Sequence, residues 1–492
     1  MINVYTNREN YQYDLHALVK SFYPEQEVRV SAEQLKPRET DRAVNETMQE
    51  QENSKQVAVY LADNSMKVVL DIDGRKEYSH IFEYDTDVIK KECKLSLYQD
   101  LCDYTGKTLP WGNLTGIRPT KLAMGMVAEG KCDAEITAWL KETHAVSDRK
   151  AQLSIDIARR EKAILDRIHY EDGYSVYIGI PFCPTTCLYC SFTSYPIAAW
   201  RGRTGEYLQA LFREIDFVAQ AYRDKILDTI YIGGGTPTTL AAEELAQLLQ
   251  YIHDSFDFGH VKELTVEAGR ADSIAQEKLE VLKRHGVTRI SVNPQTMKDA
   301  TLKYIGRQHN VAQVKDAFRL AREAGFDNIN MDIILGLPGE LEADVQNTID
   351  EIVKLNPDSL TVHSLAVKRA SRLSQWIEEN GIATLRNTDS TMEIAQSGAQ
   401  ALDMNPYYLY RQKNMSGNFE NVGYAREGKY GIYNILIMEE VQTIVACGAG
   451  SISKRVYPDG RIERSENVKD VALYIQKVDE MIERKRKLLA DL

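Results

Sequence analysis

The sequence predicts an α/β protein built on a partial (β/α)6 barrel of parallel strands, with an N-terminal α+β domain before it and a mostly helical C-terminal lobe after it. From Tyr174 onward, short apolar runs alternate with amphipathic segments, the pattern of βαβ units. Shorter strand-like runs precede this region. The 492-residue chain is also too long for one core, because single cores stop growing at roughly 250–300 residues. We therefore expect domains at residues 1–170, 171–380 and 381–492.

The N-terminal domain is predicted from a strand meander followed by helices. Residues 31–56 are polar and charged, which indicates an exposed loop. The runs QVAVYLA, MKVVLDI and EYSHIFEY then predict short antiparallel strands. Apolar spacing becomes helical from Val88 to Leu101, again after Pro119, and from Leu153 to Ile168, where Ser147 is the expected N-cap. No role is assigned to this domain.

Six strands with intervening helices are predicted for the barrel. The strands are expected at Tyr174–Ile180, Thr229–Ile232, Leu264–Val266, Arg289–Val292, Ile329–Ile334 and Leu360–Val362. The helices are expected at Tyr207–Tyr222, Ala241–Ser255, Ala275–Arg284, Val311–Ala324 and Glu342–Leu355. In such barrels the chemistry takes place at the C-terminal ends of the strands. The residues directly after each strand are therefore the first candidates for a functional site.

Composition and charge narrow the classes of function. The formal net charge is −12 and the pI is near 5.4, which disfavours binding to a nucleic acid backbone. No apolar run approaches the roughly 18 residues needed to span a bilayer, and the N-terminus lacks the features of a signal peptide. We therefore expect a cytoplasmic protein with no nucleic acid partner and no membrane span.

Three of the seven cysteines lie in one short segment directly after the first barrel strand. Cys183, Cys187 and Cys190 form the pattern C-x3-C-x2-C within GIPFCPTTCLYCSFTSYP. Iron–sulfur clusters are usually held by four thiolates, so three thiolates leave one iron open to another molecule. The alternative is a zinc site completed by Cys447 or His363, although zinc ligands normally come as two pairs separated by a longer stretch.

The other four cysteines are scattered and suggest no disulfide framework, as expected in a reducing compartment. Free cysteines commonly behave as small buried apolar side chains. No chemical role is assigned to them; they are Cys93, Cys102, Cys132 and Cys447.

Glycines and polar residues follow the other barrel strands. After the second strand, YIGGGTPTTL places Gly233, Gly234 and Gly235 where bare backbone groups can approach a ligand, although a tight turn alone also fits. Four polar residues lie at or near later strand ends: Glu267, Gln295, Arg307 and Asp332. Each alone also fits an ordinary solvent-facing or salt-bridged side chain, but together they indicate a polar pocket.

The cysteine segment resembles the signature of the radical S-adenosylmethionine (SAM) superfamily, with Tyr189 as the aromatic residue before the last cysteine. The resemblance implies a [4Fe–4S] cluster on Cys183, Cys187 and Cys190, with SAM chelated to the open iron. In that family an electron from the reduced cluster cleaves SAM, and the resulting 5'-deoxyadenosyl radical abstracts hydrogen from the substrate.

Residues 174–460 also resemble the oxygen-independent coproporphyrinogen oxidase family, which includes heme chaperones. The resemblance implies contacts with one or two SAM molecules from Tyr177, Tyr189, Gly234, Gly235, Thr236, Glu267, Gln295, Arg307 and Asp332. Arg307 offers a bidentate fork to a carboxylate, and Glu267 and Asp332 accept bonds from ammonium or ribose hydroxyls. The segments LPWGNLTGIRPTKL, TVEAGRADSI and VHSLAVKRAS look in particular like the HemZ-type coproporphyrinogen dehydrogenases.

Two positions and one missing motif depart from the main branches of this family. Gly179 stands where the family usually has a histidine, so a proton-transfer role given to that histidine has no bearer here. Phe192 stands where the oxidases tend to carry a fourth cysteine, as in the chaperone branch. The chaperones' HNxxYW motif is absent from the comparable segment, RQKNMSGNFENVGYA.

The resemblance implies anaerobic oxidative decarboxylation of coproporphyrinogen III to protoporphyrinogen IX, with a small electron-transfer protein such as flavodoxin or ferredoxin as partner. A tetrapyrrole substrate with four carboxylates requires cationic contacts. The candidates, which also fit a solvated basic surface, are Lys368, Arg369, Arg372, Arg411 and Lys413. The alternatives are a heme-binding chaperone of the same family and a radical SAM enzyme that acts on heme.

Overall fold

The computed structural model describes residues 1–24, 26–32, 55–61, 65–72, 78–83, 89–116, 118–368, 371–380, 385–411 and 419–490. The chain divides into two compact units, residues 1–156 with 417–419, and residues 157–416 with 420–492. Most of the predicted polar loop lies outside the described residues. Within those residues, no helix is long and apolar enough to cross a membrane.

The first unit contains a five-stranded sheet in the order β2-β1-β3-β4-β5. Its strands are β1 (Ile2–Thr6), β2 (Val28–Ala32), β3 (Lys55–Leu61), β4 (Ser65–Asp71) and β5 (Tyr78–Glu83). β1 pairs in parallel with β2 and β3, whereas β3, β4 and β5 pair in antiparallel fashion. The predicted meander is therefore confirmed, and β1 and β2 are additions that the sequence analysis did not identify.

Five α-helices lie in the described part of residues 1–165, the last of which continues beyond the first unit. They are α1 (Gln12–Phe22), α2 (Ile89–Thr105), α3 (Thr120–Ala128), α4 (Asp133–His144) and α5 (Asp148–Leu165). One face of α1 and one face of α2 share a core, in which Phe22 and Leu97 are buried and Phe22 contacts the ring of Tyr98. The predicted N-cap is also present, since Ser147 Oγ accepts a hydrogen bond from Lys150 N at 3.4 Å.

The second unit is organised around an eleven-stranded sheet in the order β14-β15-β13-β12-β11-β10-β9-β6-β16-β17-β18. Six of its strands are those predicted for the barrel, and each pairs in parallel with the next. They are β6 (Gly173–Ile180), β9 (Ile226–Gly234), β10 (Glu263–Gly269), β11 (Arg289–Val292), β12 (Ile329–Leu335) and β13 (Ser359–Ser364). The mixed α/β fold with a parallel sheet is therefore confirmed.

The helices between these strands also match the prediction. They are α6 (Thr204–Ala221), α7 (Ala242–Ser255), α8 (Gln276–Arg284), α9 (Asp299–Tyr304), α10 (Val311–Glu323) and α11 (Glu342–Leu355). Only the short α9 was not predicted. A two-stranded parallel sheet, β7 (Phe182–Cys183) with β8 (Tyr195–Pro196), encloses the cysteine segment.

The expectation of a separate, mostly helical C-terminal lobe needs correction. This region does supply helices, namely α13 (Asp389–Ala401), α14 (Ile432–Glu439), α15 (Val471–Gln476) and α16 (Val478–Leu488), and α12 (Arg372–Asn380) directly precedes it. It also supplies five strands of the main sheet, β14 (Asn405–Tyr410), β15 (Asn421–Ala425), β16 (Thr443–Cys447), β17 (Ile452–Val456) and β18 (Ile462–Glu466). β16 pairs in parallel with β6, so the first barrel strand is interior to the sheet because a segment far along the chain pairs with it.

Candidate active site

The cysteine segment begins at the C-terminal end of β6 and is held against the turn that follows α9. Leu188 N donates to Ile305 O at 2.9 Å, and Thr185 Oγ1 donates to Gly306 O at 2.8 Å. Gly306 has a φ of +82°, a conformation that glycine adopts without strain. The segment is therefore fixed at both its backbone and its side chains.

The three thiols of this segment are free, with Cys183 and Cys187 buried and Cys190 half-buried. Burial raises the pKa of Cys183 to about 11 and also raises the pKa of Cys190. Since metals bind thiolates, a metal or cluster bound at this segment would displace protons. Across the described ranges, no three His, Cys, Asp or Glu side chains converge as they would around a single metal ion.

The glycines after β9 bring that strand end against the cysteine segment. Gly235 N donates to Ile180 O at 2.8 Å, and Thr236 N donates to Phe182 O at 2.7 Å. A Cβ on Gly235 would lie only 2.5 Å from Phe182 O, so any other residue would push the two strand ends apart. Thr236 Oγ1 in turn lies 3.5 Å from the Sγ atom of Cys183.

Glu267, at the end of β10, lies directly below these glycines. Its Oε1 atom accepts a hydrogen bond from the Tyr231 hydroxyl at 2.6 Å, and its Oε2 atom accepts one from Gly234 N at 3.3 Å. Burial raises the pKa of this carboxyl to about 7; the hydrogen bond from Tyr231 opposes the rise, and the charge of Asp332 adds to it. Glu267 therefore changes charge near neutral pH.

Asp332, in β12, is the second carboxylate at this site. Burial acts to raise its pKa, but the electrostatic interaction with His363 and the hydrogen bond from Asn330 outweigh burial, so the pKa is lowered. Asn330 Nδ2 lies 2.6 Å from Asp332 Oδ1, and His363 Nε2 lies 3.9 Å from Asp332 Oδ2. The site thus combines one carboxylate that stays ionised with one that exchanges a proton.

Gln295 follows β11 with its backbone in the left-handed region, at a φ of +68°. This conformation is uncommon outside glycine, and two hydrogen bonds to β12 hold it, from Gln295 N to Asp332 O and from Ile334 N to Gln295 O, both 2.9 Å. Its side-chain Oε1 atom is buried and has no hydrogen-bond partner among the described residues.

Arg307 links the turn after α9 to the cysteine motif. Its Nη1 atom donates to Asn293 O at 2.6 Å, and its Nη2 atom donates to the Tyr189 hydroxyl at 3.1 Å. The guanidinium is buried, and its Nε atom has no partner within the described part of the chain. An open buried donor of this kind fits the carboxylate of a ligand.

Tyr177 belongs to a group of stacked tyrosine rings beneath the glycines. Its ring centroid lies 6.1 Å from that of Tyr231 and 6.3 Å from that of Tyr433, and the last two rings stack at 4.4 Å. The sequence analysis did not identify Tyr433, because it comes from α14, far along the chain. These rings close the site toward the interior of the sheet.

Three further residues at the cysteine segment were also missed. Arg270 and Asp272 follow β10, and His309 follows the turn after α9. Arg270 Nη1 donates to Thr185 O at 2.9 Å and to the Sγ atom of Cys187 at 3.8 Å. The signal for Arg270 and Asp272 in the sequence was the segment TVEAGRADSI, and His309 lies outside it.

The five Lys and Arg residues that the sequence suggested as contacts for carboxylates differ in their surroundings. Arg411, at the end of β14, is buried, and burial lowers its pKa to about 10. Arg372 donates from Nη2 to Thr186 O at 2.5 Å, which ties α12 to the cysteine segment. Lys368 is exposed. Arg369 and Lys413 lie outside the described residues.

The residues named from the sequence therefore collect at one edge of the sheet. The segment with the three free thiols contacts Arg307 through Tyr189 and the glycine strand end through Thr236. Gln295 Oε1 and Arg307 Nε are buried and have no partner among the described residues. This donor set fits an iron–sulfur cluster together with a zwitterionic ligand. The sequence suggested two residues as the fourth ligand of a zinc site. His363 lies beside Asp332, and Cys447 is fully buried in β16.

Comparison with known proteins agrees with this geometry. Residues 177–352 match the radical SAM superfamily. The chain is 43% identical over 394 residues to the oxygen-independent coproporphyrinogen-III oxidase-like protein HemZ of Bacillus subtilis, a match that covers 79% of each chain. It is 39% identical over 195 residues to the heme chaperone HemW of Bacillus subtilis, covering 39% of this chain and 51% of that relative.

The fold is similar to that of a solved radical SAM enzyme, the coproporphyrinogen III oxidase HemN from Escherichia coli. The two structures superpose with a TM-score of 0.51 at 22% identity, over 68% of this chain and 73% of that chain.

Proposed function

Because the chain belongs to the family of oxygen-independent coproporphyrinogen-III oxidase-like proteins within the radical SAM superfamily, we propose that it catalyses the oxidative decarboxylation of coproporphyrinogen III to protoporphyrinogen IX without oxygen. The observation that carries this proposal is the 43% identity to HemZ across 79% of both chains. The radical SAM domain implies a [4Fe–4S] cluster and SAM, which together supply a 5'-deoxyadenosyl radical when bound.

Cys183, Cys187 and Cys190 are the proposed cluster ligands. Their support is the position of the segment at the end of β6, where hydrogen bonds to the turn after α9 hold it. Three thiolates leave one coordination position open, which is the position that SAM requires. The same hydrogen bonds hold the backbone that carries the three thiols against the turn after α9.

The strand-end residues are the proposed SAM site. The backbone of Gly234, Gly235 and Thr236 offers close approach, and the ionised carboxyl of Glu267 attracts an ammonium group. Arg307 offers its open Nε atom to a carboxylate.

Four further residues complete this proposed site. Gln295 offers an open amide oxygen, and Asp332 accepts from a ribose hydroxyl. The rings of Tyr177 and Tyr189 line the same space and help to exclude water.

The tetrapyrrole is the proposed substrate, and its carboxylates need cations at the same edge of the sheet. Arg411 and Arg372 are the described candidates closest to strand ends or to the cysteine segment. Each vinyl group requires transfer of one hydrogen atom to the radical, loss of carbon dioxide and transfer of one electron to an acceptor. A small electron-transfer protein such as flavodoxin or ferredoxin is the proposed reductant of the cluster, and the proposed location is the cytoplasm.

An anaerobic turnover assay tests the proposal. Reconstituted protein receives coproporphyrinogen III, SAM, a reductant and an electron acceptor, and 5'-deoxyadenosine and protoporphyrinogen IX are measured together. We expect deoxyadenosine in proportion to vinyl groups, and neither product from the Cys187→Ala protein. Deoxyadenosine without any vinyl product would contradict the proposed substrate, and its formation only when heme is added would favour a heme-modifying enzyme.

A heme chaperone is the second candidate, and Phe192 favours it. This ring, two residues after Cys190, is 75% exposed beside the cysteine segment, where an apolar porphyrin face could pack on it. Relatives named heme chaperone HemW also match the chain. The chaperone function requires stoichiometric heme binding, weakened in Phe192→Ala, with no porphyrinogen turnover in the same preparation.

A further inference from the structure

The turn after β10 projects one arginine toward the cysteine segment. The turn is rigid, because Ser273 Oγ donates to Arg270 O at 2.8 Å and Thr238 Oγ1 donates to Ala268 O at 2.8 Å. The Arg270 side chain is only 4% exposed. Its direction is therefore set by the backbone of β10 and not by solvent.

The Arg270 guanidinium uses all of its nitrogens. Nε donates to Asp272 Oδ1 at 3.0 Å, and Nη2 donates to Asp272 Oδ2 at 2.7 Å, which is a bidentate fork. Nη1 donates to Thr185 O at 2.9 Å, to Thr185 Oγ1 at 2.8 Å and to the Sγ atom of Cys187 at 3.8 Å. One edge of the guanidinium, Nε and Nη2, thus binds a carboxylate, and Nη1 contacts a proposed cluster ligand.

Asp272 is itself fixed from the other side. His309 Nδ1 lies 3.3 Å from Asp272 Oδ1, and the His309 side chain is fully buried. The fork therefore has little freedom to turn away from Cys187. The only other buried arginine that contacts the cysteine segment among the described residues is Arg307, through the Tyr189 hydroxyl.

We propose that Arg270 is a positioning residue that raises the reduction potential of the cluster by holding positive charge at the Sγ atom of Cys187. The inference rests on the proposed ligation by Cys183, Cys187 and Cys190. A [4Fe–4S]2+ core with three thiolates carries a net charge of −1, and one electron from an external low-potential donor takes it to −2. A fixed cation stabilises the more negative state more strongly, and burial reduces the screening of this interaction.

The test is an EPR-monitored redox titration of reconstituted full-length protein without SAM. We expect Arg270→Gln to shift the midpoint potential to more negative values, while iron and sulfide content stay at the wild-type level. Arg270→Lys, which keeps the charge but loses the fork, should shift it less. The matched control is Arg284→Gln, an exposed residue at the end of α8, near the N-terminal end of β11 and so at the opposite edge of the sheet; it should leave the potential unchanged.

Asp272→Asn gives the decisive second arm. It removes the counter-charge while keeping a side chain of the same shape, so the potential should move to more positive values. Opposite shifts in Arg270→Gln and Asp272→Asn support the proposal. Shifts in the same direction, or an unchanged potential in a fully loaded Arg270→Gln protein, would show that the fork only holds the segment in place. If Arg270→Gln fails to load, Arg270→Lys and Asp272→Asn decide by the same signs. Wild-type protein that binds no iron would instead reject the ligation by the three cysteines.

Discussion

The two ends of the parallel strands treat buried polar groups in opposite ways. At the N-terminal ends, charged side chains are paired. Asp228 accepts from Gln442 Nε2 at 2.7 Å, and Asp358 accepts from Arg322 Nη1 at 2.7 Å. Glu263, at the start of β10, accepts from Ile432 N at 2.6 Å and from Thr265 Oγ1 at 3.0 Å. The carboxylates at the N-terminal strand ends therefore stabilise the fold and are already satisfied by protein partners.

At the C-terminal ends, several buried polar atoms have no partner among the described residues. They are Asn293 Oδ1, Gln295 Oε1, Arg307 Nε and His309 Nε2. A buried polar group left unpaired costs about 1–3 kcal/mol, so several together substantially lower the stability of the folded protein. Such a concentration at one edge of a sheet is explained when a ligand supplies the missing partners. The comparison teaches that the same strands are stabilised at one end and prepared for binding at the other.

The largest expected effect comes from removing a thiol at the C-terminal edge. Replacing Cys183, Cys187 or Cys190 by Ala should abolish SAM cleavage, because the remaining thiolates no longer hold a full set of ligands. The measurement is iron, sulfide and 5'-deoxyadenosine after anaerobic reconstitution. The wild-type protein should bind about four irons and four sulfides.

The matched control is Cys132→Ala, because Cys132 is an exposed free cysteine in the first unit. It should keep the wild-type iron content and SAM cleavage. Full cleavage in all three variants of the cysteine segment would remove these residues from the site and end the comparison of the two edges.

The second prediction compares two arginines, one at each end of the parallel strands. Arg307→Ala should weaken SAM binding by about 10–100-fold with iron content intact, since a charge-assisted hydrogen bond is worth about 1.5–3 kcal/mol. Arg322→Ala, which removes the partner of Asp358, should instead lower the unfolding temperature and leave the SAM affinity unchanged. Calorimetry and thermal unfolding measure the two effects, and equal SAM affinity in wild type and Arg307→Ala would show that the open Nε atom does not meet the cofactor.

The sequence was sufficient to predict the strands and helices of the barrel because each is a local pattern. Apolar runs bounded by turn residues gave β6 and β9 through β13, and apolar spacing gave the longer helices between them. It did not give β16, because TIVAC is a short run whose parallel partner, β6, lies far away in the sequence, while its antiparallel contact with β17 is brief. Pairing of that kind leaves no local signal.

The site was predictable only in part for the same reason. The cysteine pattern and the strand ends identified the edge of the sheet, but Glu263 and Glu267 lie on one strand with the same chemistry, and the sequence does not show which partners each of them has. Arg270 was missed because its contact with Cys187 spans 83 residues. The left-handed backbone of Gln295 depends on its bridge to β12, which is also a tertiary contact.

A smaller effect is expected from replacing each of these two glutamates, Glu263 and Glu267, by glutamine. Glu263→Gln should lower the free energy of unfolding by about 1–3 kcal/mol, because it weakens bonds from the backbone of α14 and removes the charge opposite Arg289. Glu267→Gln should not destabilise the protein at neutral pH but should weaken SAM binding. Chemical denaturation measures the stability of both variants, and calorimetry measures their SAM binding. An equal loss of stability in the two variants would mean that the two ends of β10 do not differ.

The smallest effect is a pH dependence that arises at Glu267. Its pKa of about 7 lies above the ordinary value of 4.5, so the folded state holds this proton more tightly than the unfolded state does. The associated stability is fully present below 4.5 and is lost as the pH rises through about 7. SAM binding should change in the opposite direction, since only the ionised carboxylate attracts the ammonium group.

Affinity for SAM should therefore rise about eightfold between pH 5.5 and about pH 6.5, where an α-amino group with a pKa of about 7.7–8.0 still keeps its proton. Glu267→Gln should remove this slope and make stability less dependent on pH. Asp332 stays ionised throughout, because its pKa is lowered, and His363 is the basic side chain beside it, with Nε2 3.9 Å from Asp332 Oδ2. His363→Gln is therefore the control: a slope that persists in His363→Gln and disappears in Glu267→Gln assigns it to the glutamate, whereas the reverse result assigns it to the histidine.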